Sequence, residues 1–162
     1  MKALWLVVGF ASALQAQSIA PPADATPLVA VQGRGVQIYR CDQQIGAFAY
    51  SFVSPEAELL NSEGLKVGEH SAGPTWTWND GGFIVGKVLA KQASTDADSV
   101  PWLLLQTSAK GAVGKYLASA AYVRRTDTHG GNAPSTGCDA THLGTMLRVP
   151  YTATYTFYKK TK

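Results

Sequence analysis

Tyr151-Thr152-Ala153-Thr154-Tyr155-Thr156-Phe157-Tyr158, close to the carboxyl end, alternates aromatic or small apolar residues with threonines. An extended chain sends successive side chains to opposite faces. The stretch therefore predicts a strand with Tyr151, Ala153, Tyr155 and Phe157 on a core face and the threonines on a solvated one. Residues 116–125 read as a further strand, and the apolar run Trp102–Gln106 as a central strand covered on both faces. Before the polar loop Ser94–Ser99, the clearest hairpin joins Thr75-Trp76-Thr77-Trp78 to Phe83-Ile84-Val85. Its turn is Asn79-Asp80-Gly81-Gly82, residues that accept the positive φ angles of a tight reversal. From Ala47 to Val53, Phe48, Tyr50 and Phe52 fall on one side at period two, and Val36–Cys41 alternates apolar with polar, so both segments predict strands. Ser54-Pro55-Glu56-Ala57-Glu58-Leu59-Leu60 admits two readings. One is a short helix capped by Ser54 with Pro55 at its first position; the other, which we favour, is a strand running into a turn over Asn61–Gly64. Short strands at intervals of roughly ten residues, with turn signals between them and no long amphipathic helix, predict a mainly antiparallel all-β domain with long loops. A sandwich and a barrel both satisfy this pattern.

The amino end has a different composition. Lys2 precedes an apolar run, Ala3–Leu14, of about twelve residues, too short to span a bilayer, and small residues follow around Ala16. This predicts a signal peptide over 1–16, cut after Ala16 or, by the same small-x-small rule, after Ala13. No cysteine near either bond offers a lipid attachment site, and the expected destination is the periplasm or the medium. Residues 17–33, with Pro21, Pro22 and Pro27, predict an extended Pro/Ala-rich arm, and 34–160 a single β-rich domain. With 46% hydrophobic and 15% charged residues and 16 glycines, the chain is globular and turn-rich rather than disordered. Residues 1–99 carry six basic and nine acidic groups, and residues 100–162 eight and two. Such a bias suits an anionic surface, but only Lys159, Lys160 and Lys162 cluster, so scattered solvated lysines are the simpler account.

Cys41 and Cys138 are the only cysteines. In an exported chain they are expected to pair, closing a loop of about 100 residues and removing on the order of 4 to 5 kcal/mol of unfolded-chain entropy. No C-x-x-C redox spacing is present.

Several residue sets are candidates for chemistry. His70 lies beside Glu69 and between Gly68 and Gly73. A histidine next to a carboxylate is a candidate general base or metal ligand. The plainer alternative is a strand-end histidine bonded to a loop carbonyl. Trp76 and Trp78 share strand parity, so they form either a paired platform for a sugar ring or other flat ligand, together with His70, or part of the core. His70, His129, Asp139 and His142 offer three nitrogens and one oxygen suited to zinc or copper, but their spacing matches no zinc signature. Glu56 and Glu58 share a strand face, whereas glycosidase carboxylates face each other across a cleft. His129-Gly130-Gly131 is similar to an esterase oxyanion loop, but no G-x-S-x-G elbow accompanies it. The basic residues do not interleave with aromatics in any nucleic-acid-binding module.

Further segments carry a resemblance: Gly35-Val36-Gln37-Ile38-Tyr39-Arg40-Cys41, Ser54-Pro55-Glu56-Ala57-Glu58-Leu59, Val67-Gly68-Glu69-His70-Ser71-Ala72-Gly73-Pro74-Thr75-Trp76, Pro101-Trp102-Leu103-Leu104, residues 122–138 with Gly130-Gly131, and Arg148-Val149-Pro150-Tyr151-Thr152-Ala153. Together they resemble a DUF3455-like family of exported bacterial and fungal proteins whose activity is unassigned, over about residues 33–159. The resemblance implies export and one domain, and it brings no established reaction. A dinucleotide-binding fold is excluded independently, since no G-x-G-x-x-G follows a strand and strands do not alternate with helices. The expectation is a non-enzymatic β-domain that binds a small molecule, glycan or envelope component. It needs no cofactor, no nucleic acid and no membrane span, and its oligomeric state is open. The alternative is a metal-assisted hydrolase or oxidoreductase built on His70.

Overall fold

The computed structural model describes residues 18–161, so the expected signal peptide lies outside the described residues. Eight strands run in sequence: β1 (Ala25–Gln44), β2 (Ala47–Leu60), β3 (Lys66–Ser71), β4 (Thr75–Trp78), β5 (Phe83–Gln92), β6 (Trp102–Ser108), β7 (Ala120–Gly130) and β8 (Met146–Lys160). Among the described residues a single 3-10 turn, Tyr116–Ser119, precedes β7, so the strand expected over 116–125 begins only at Ala120. Each strand pairs antiparallel with the next, and β8 returns to pair with β1, closing a barrel. Closure leaves no strand edge to be protected, and it decides between the sandwich and the barrel.

The alternation in β8 maps onto this ring as expected. Tyr151, Ala153, Tyr155 and Phe157 are buried in the central core, with Leu59, Ile84, Leu105 and Val123 around them. Ser54–Leu60 continues β2 as strand, with Ala57 and Leu59 facing inward. In β6, Leu104 and Leu105 point to opposite faces and are both buried, Leu105 in the core and Leu104 in an outer cluster with Ile19, Ala90, Tyr122 and Tyr158. The double coverage predicted for this strand is therefore real, and its outer cover is the segment before β1.

That segment departs from the expected 17–33 arm. β1 already begins at Ala25 and is in register with β8 from Ala25↔Lys160 onward, so residues 25–33 belong to the barrel. Pro27, a residue expected to block pairing, sits where the register shifts between Pro27 and Val29. A ladder irregularity of this kind accommodates a residue without an N–H. Of the expected arm, the described residues 18–24 precede the ring, and Ile19 is buried against its outer face.

The two ends of the barrel differ. At one, the connection between β6 and β7 tucks Ala112 and Leu117 into the core, and Tyr116 stacks on Trp78 at 4.9 Å. The Asp80 carboxylate accepts from the Tyr116 N–H at 2.8 Å, which fixes this plug to the β4–β5 turn. At the other end, the long connection 131–145 is held by the Cys41–Cys138 disulfide and by two phenols. Tyr39 donates to the Gly131 carbonyl at 2.7 Å and Tyr50 to the Gly137 carbonyl at 3.0 Å.

A candidate ligand cavity at the open end of the barrel

Below the β3–β4 turn the apolar core gives way to a polar layer around a cavity of about 320 Å3. Every strand contributes to its wall, which includes Gln37, His70, Trp76, Leu103, Arg125 and Tyr155. His70 and Trp76 are direct partners across the β3–β4 ladder. Their rings stack 4.7 Å apart and 11° from parallel, with the Tyr155 ring 5.1 Å from His70. His70 Nδ1 lies 2.9 Å from the Thr75 carbonyl. A carbonyl only accepts, so Nδ1 carries the proton and the lone pair of the neutral ring is at Nε2. Burial, and less so the charge of Arg125, outweigh this hydrogen bond and lower the His70 pKa from 6.5 to about 4. The ring is therefore neutral at neutral pH.

Arg125 is the charged member of the layer, and it is only 9% exposed. It donates from Nε (3.1 Å) and Nη2 (2.7 Å) to the Pro101 carbonyl. No carboxylate among the described residues forms an ion pair with it. A guanidinium removed from water without a counter-ion is costly by several kcal/mol, and one carbonyl is partial compensation. The phenols of Tyr151 and Tyr155 meet at 3.1 Å, and burial raises both pKa values, keeping them protonated. Gln37 is 2% exposed; its side chain lies near enough to the Tyr151 phenol to oppose that rise slightly, but its Nε2 makes no hydrogen bond of good geometry. The indole Nε1 of Trp76, a residue 1% exposed, also lacks a partner. Phe52, Val53 and Val88 form an apolar rim, with Phe52 55% exposed. Register shifts lie next to this rim in both β1–β2 and β5–β6, where bulges re-aim side chains.

The structure separates several residues that the sequence suggested as partners. Glu69 faces outward and accepts from Lys66 Nζ at 2.6 Å, whereas His70, one residue on, faces inward, so the adjacent pair forms no dyad. His129 pairs with Asp96 at 3.1 Å and His142 with Asp139 at 2.8 Å, both on the exposed surface. Among the described residues no group of three or more His, Cys, Asp or Glu side chains is placed to hold a metal ion, so His70, His129, Asp139 and His142 are not gathered. Trp76 and Trp78 do face the same way, but inward: Trp76 lines the cavity and Trp78 packs on Tyr116 and Phe157. They form no exposed platform. Glu56 and Glu58 lie on the outer surface, paired with Arg148 and with Arg34 and Lys66.

Sequence reading missed Gln37, Arg125 and Tyr155 as a group. For Arg125 a signal existed, because in the strand ending at that residue it shares parity with Val123, which makes it a charge at a core position. No curated protein and no solved structure matches the chain. A family model described as a protein of unknown function (DUF3455) matches residues 22–159, and the chain belongs to that family.

Proposed function

We propose that this protein is an exported, non-enzymatic β-barrel that binds a small molecule in the cavity beneath the β3–β4 turn. The observation that carries this reading is the set of buried, unpartnered donors, Gln37 Nε2 and Trp76 Nε1, in the wall of a cavity that also holds an arginine without a counter-ion. Unsatisfied polar groups of this kind destabilise a fold by about 1–3 kcal/mol each, and a bound ligand is one way to satisfy them. The size supports a compact ligand rather than a glycan chain, since about 320 Å3 is at the small end of ligand pockets. The Ala3–Leu14 run and the disulfide support export. Nothing in the placement of the histidines supports the metal-assisted alternative.

The test is a screen of small aromatic and aliphatic molecules, read by the chemical shift of the Trp76 indole N–H and by thermal stabilisation. The wild type is compared with Val88→Trp, which fills the rim. Ligands that move the indole signal in wild type and not in Val88→Trp support the reading. Ligands that act equally on both, or shifts confined to surface residues, would sink it.

A further inference from the structure

The groups around the cavity also indicate which class of ligand it would take, an indication that rests on the binding role proposed for it. These groups can be counted by charge. Arg125 is cationic and His70 faces it uncharged, with its Nδ1 proton given to the Thr75 carbonyl. Tyr39, Tyr151 and Tyr155 are buried phenols, and Gln37 and Trp76 are neutral. Lys91, in the adjoining cleft that shares Arg125 and Gln37, is exposed to solvent. The buried layer therefore carries one positive charge and, among the described residues, no negative one.

The hydrogen-bonding groups left over have the same sign. Gln37 Nε2 and Trp76 Nε1 are donors without acceptors. Arg125 commits its Nε–Nη2 edge to the Pro101 carbonyl. This leaves the terminal edge, Nη1 with the outer hydrogen of Nη2, as a planar two-donor fork; the Tyr155 phenol lies close enough for Arg125 to oppose the rise in the phenol's pKa, but it is neutral and supplies no counter-charge. Such a fork matches the two oxygens of a carboxylate, whereas a phosphate dianion would leave one charge unbalanced in a buried layer. Beyond the polar layer, Leu103, Phe52, Val53 and Val88 lead outward as an apolar wall.

We infer that the ligand is a small organic monocarboxylate with an apolar body, its carboxylate held by the Arg125 fork and its body lying against Phe52, Val53 and Val88. Arg125 is then the residue that selects for charge, and the rim selects for shape.

The experiment compares matched pairs by calorimetry at neutral pH: benzoate with benzamide, octanoate with octanamide, and phenyl phosphate as the dianion. The wild type is expected to bind each carboxylate at least about tenfold more tightly than its amide, the usual scale for a charged hydrogen-bonded pair. Arg125→Gln should remove that preference, weakening carboxylate binding far more than amide binding, and Arg125→Lys should restore part of it. Equal binding of acids and amides by wild type overturns the carboxylate assignment and leaves the cavity reading standing. Tighter binding of phenyl phosphate than of benzoate overturns it as well. If no carboxylate binds, the assignment fails outright, while the cavity reading is judged separately by the neutral ligands. The wild-type comparison needs no variant, so the test survives an Arg125→Gln chain that does not fold.

Discussion

A histidine stacked on Trp76, with Nδ1 donating to the Thr75 carbonyl, stays neutral until the pH nears 4, whereas in the unfolded chain it protonates near 6.5. Because the folded value is the lower one, stability from this residue is complete above pH 6.5 and is lost as the pH falls towards 4. A fall from 6.5 to about 4, at about 1.4 kcal/mol for each pH unit, gives a loss of about 3 kcal/mol. Arg125 faces the same ring and opposes protonation, and the Tyr155 phenol is uncharged throughout. Urea unfolding across this range should show the loss in wild type and a much flatter profile in His70→Gln; parallel profiles would mean that His70 is not the buried titrating group. Trp76 is tested by size. Trp76→Ala empties the space between His70, Tyr155 and Phe157, and should lower stability by about 3–5 kcal/mol. Sequence pointed to both residues because an isolated histidine and paired tryptophans are conspicuous. It did not point to Arg125, whose role depends on strand parity and on where the Pro101 carbonyl comes to lie.

Within the strands, the close pairing of β1 with β2, where Gly35 lies opposite Ala57, leaves no room for a side chain at Gly35. A Cβ there would lie 2.1 Å from the Glu56 carbonyl oxygen and 2.5 Å from Ala57 Cα, both backbone atoms that cannot turn aside. Gly46, at the β1–β2 turn, has a positive φ of 77° and nothing within 4 Å. Gly35→Ala should therefore lower stability by about 2–3 kcal/mol through forced separation of two strands, and Gly46→Ala by only about 1 kcal/mol through backbone strain. Denaturant midpoints of the two variants check the order, and equal losses would argue against the tight β1–β2 contact. Strands were legible wherever period-two alternation was undisturbed, as in β8, and wherever both neighbours of a residue were apolar, as in β6. They were not legible across Pro27, because local propensity sees a chain-breaker where the β1–β8 ladder supplies a register shift. The candidate site was hidden for a related reason. Gln37 and Tyr39 point inward in β1, while Val36 and Ile38, the residues apolarity alone would place inside, face out half-exposed.

Over the whole molecule, two ties of different kind join the two ends of the domain: the β1–β8 ladder that closes the ring, and the covalent link from Cys41 to Cys138. The ladder runs from Ala25 to Arg40 along β1, fifteen residue pairs that set its register along most of β8. The disulfide sits where that ladder ends, at Cys41, whose N–H and carbonyl bond to Thr145 and Gly144, and it fixes the connection 131–145, where Gly131 also accepts from Tyr39. Its contribution comes from the unfolded chain, since tying residues 97 apart removes about 4–5 kcal/mol of chain entropy in the simplest treatment. A Cys41→Ser, Cys138→Ser double variant should then keep a β-type circular dichroism spectrum and an unchanged Trp76 indole environment. Its unfolding free energy should drop by up to about 4 kcal/mol, and amide exchange should rise first in 131–145. Loss of the β spectrum in this variant would mean that ring closure depends on the covalent link. The cavity would then be a property of the oxidised protein alone, because every strand that lines it owes its position to the closed ring.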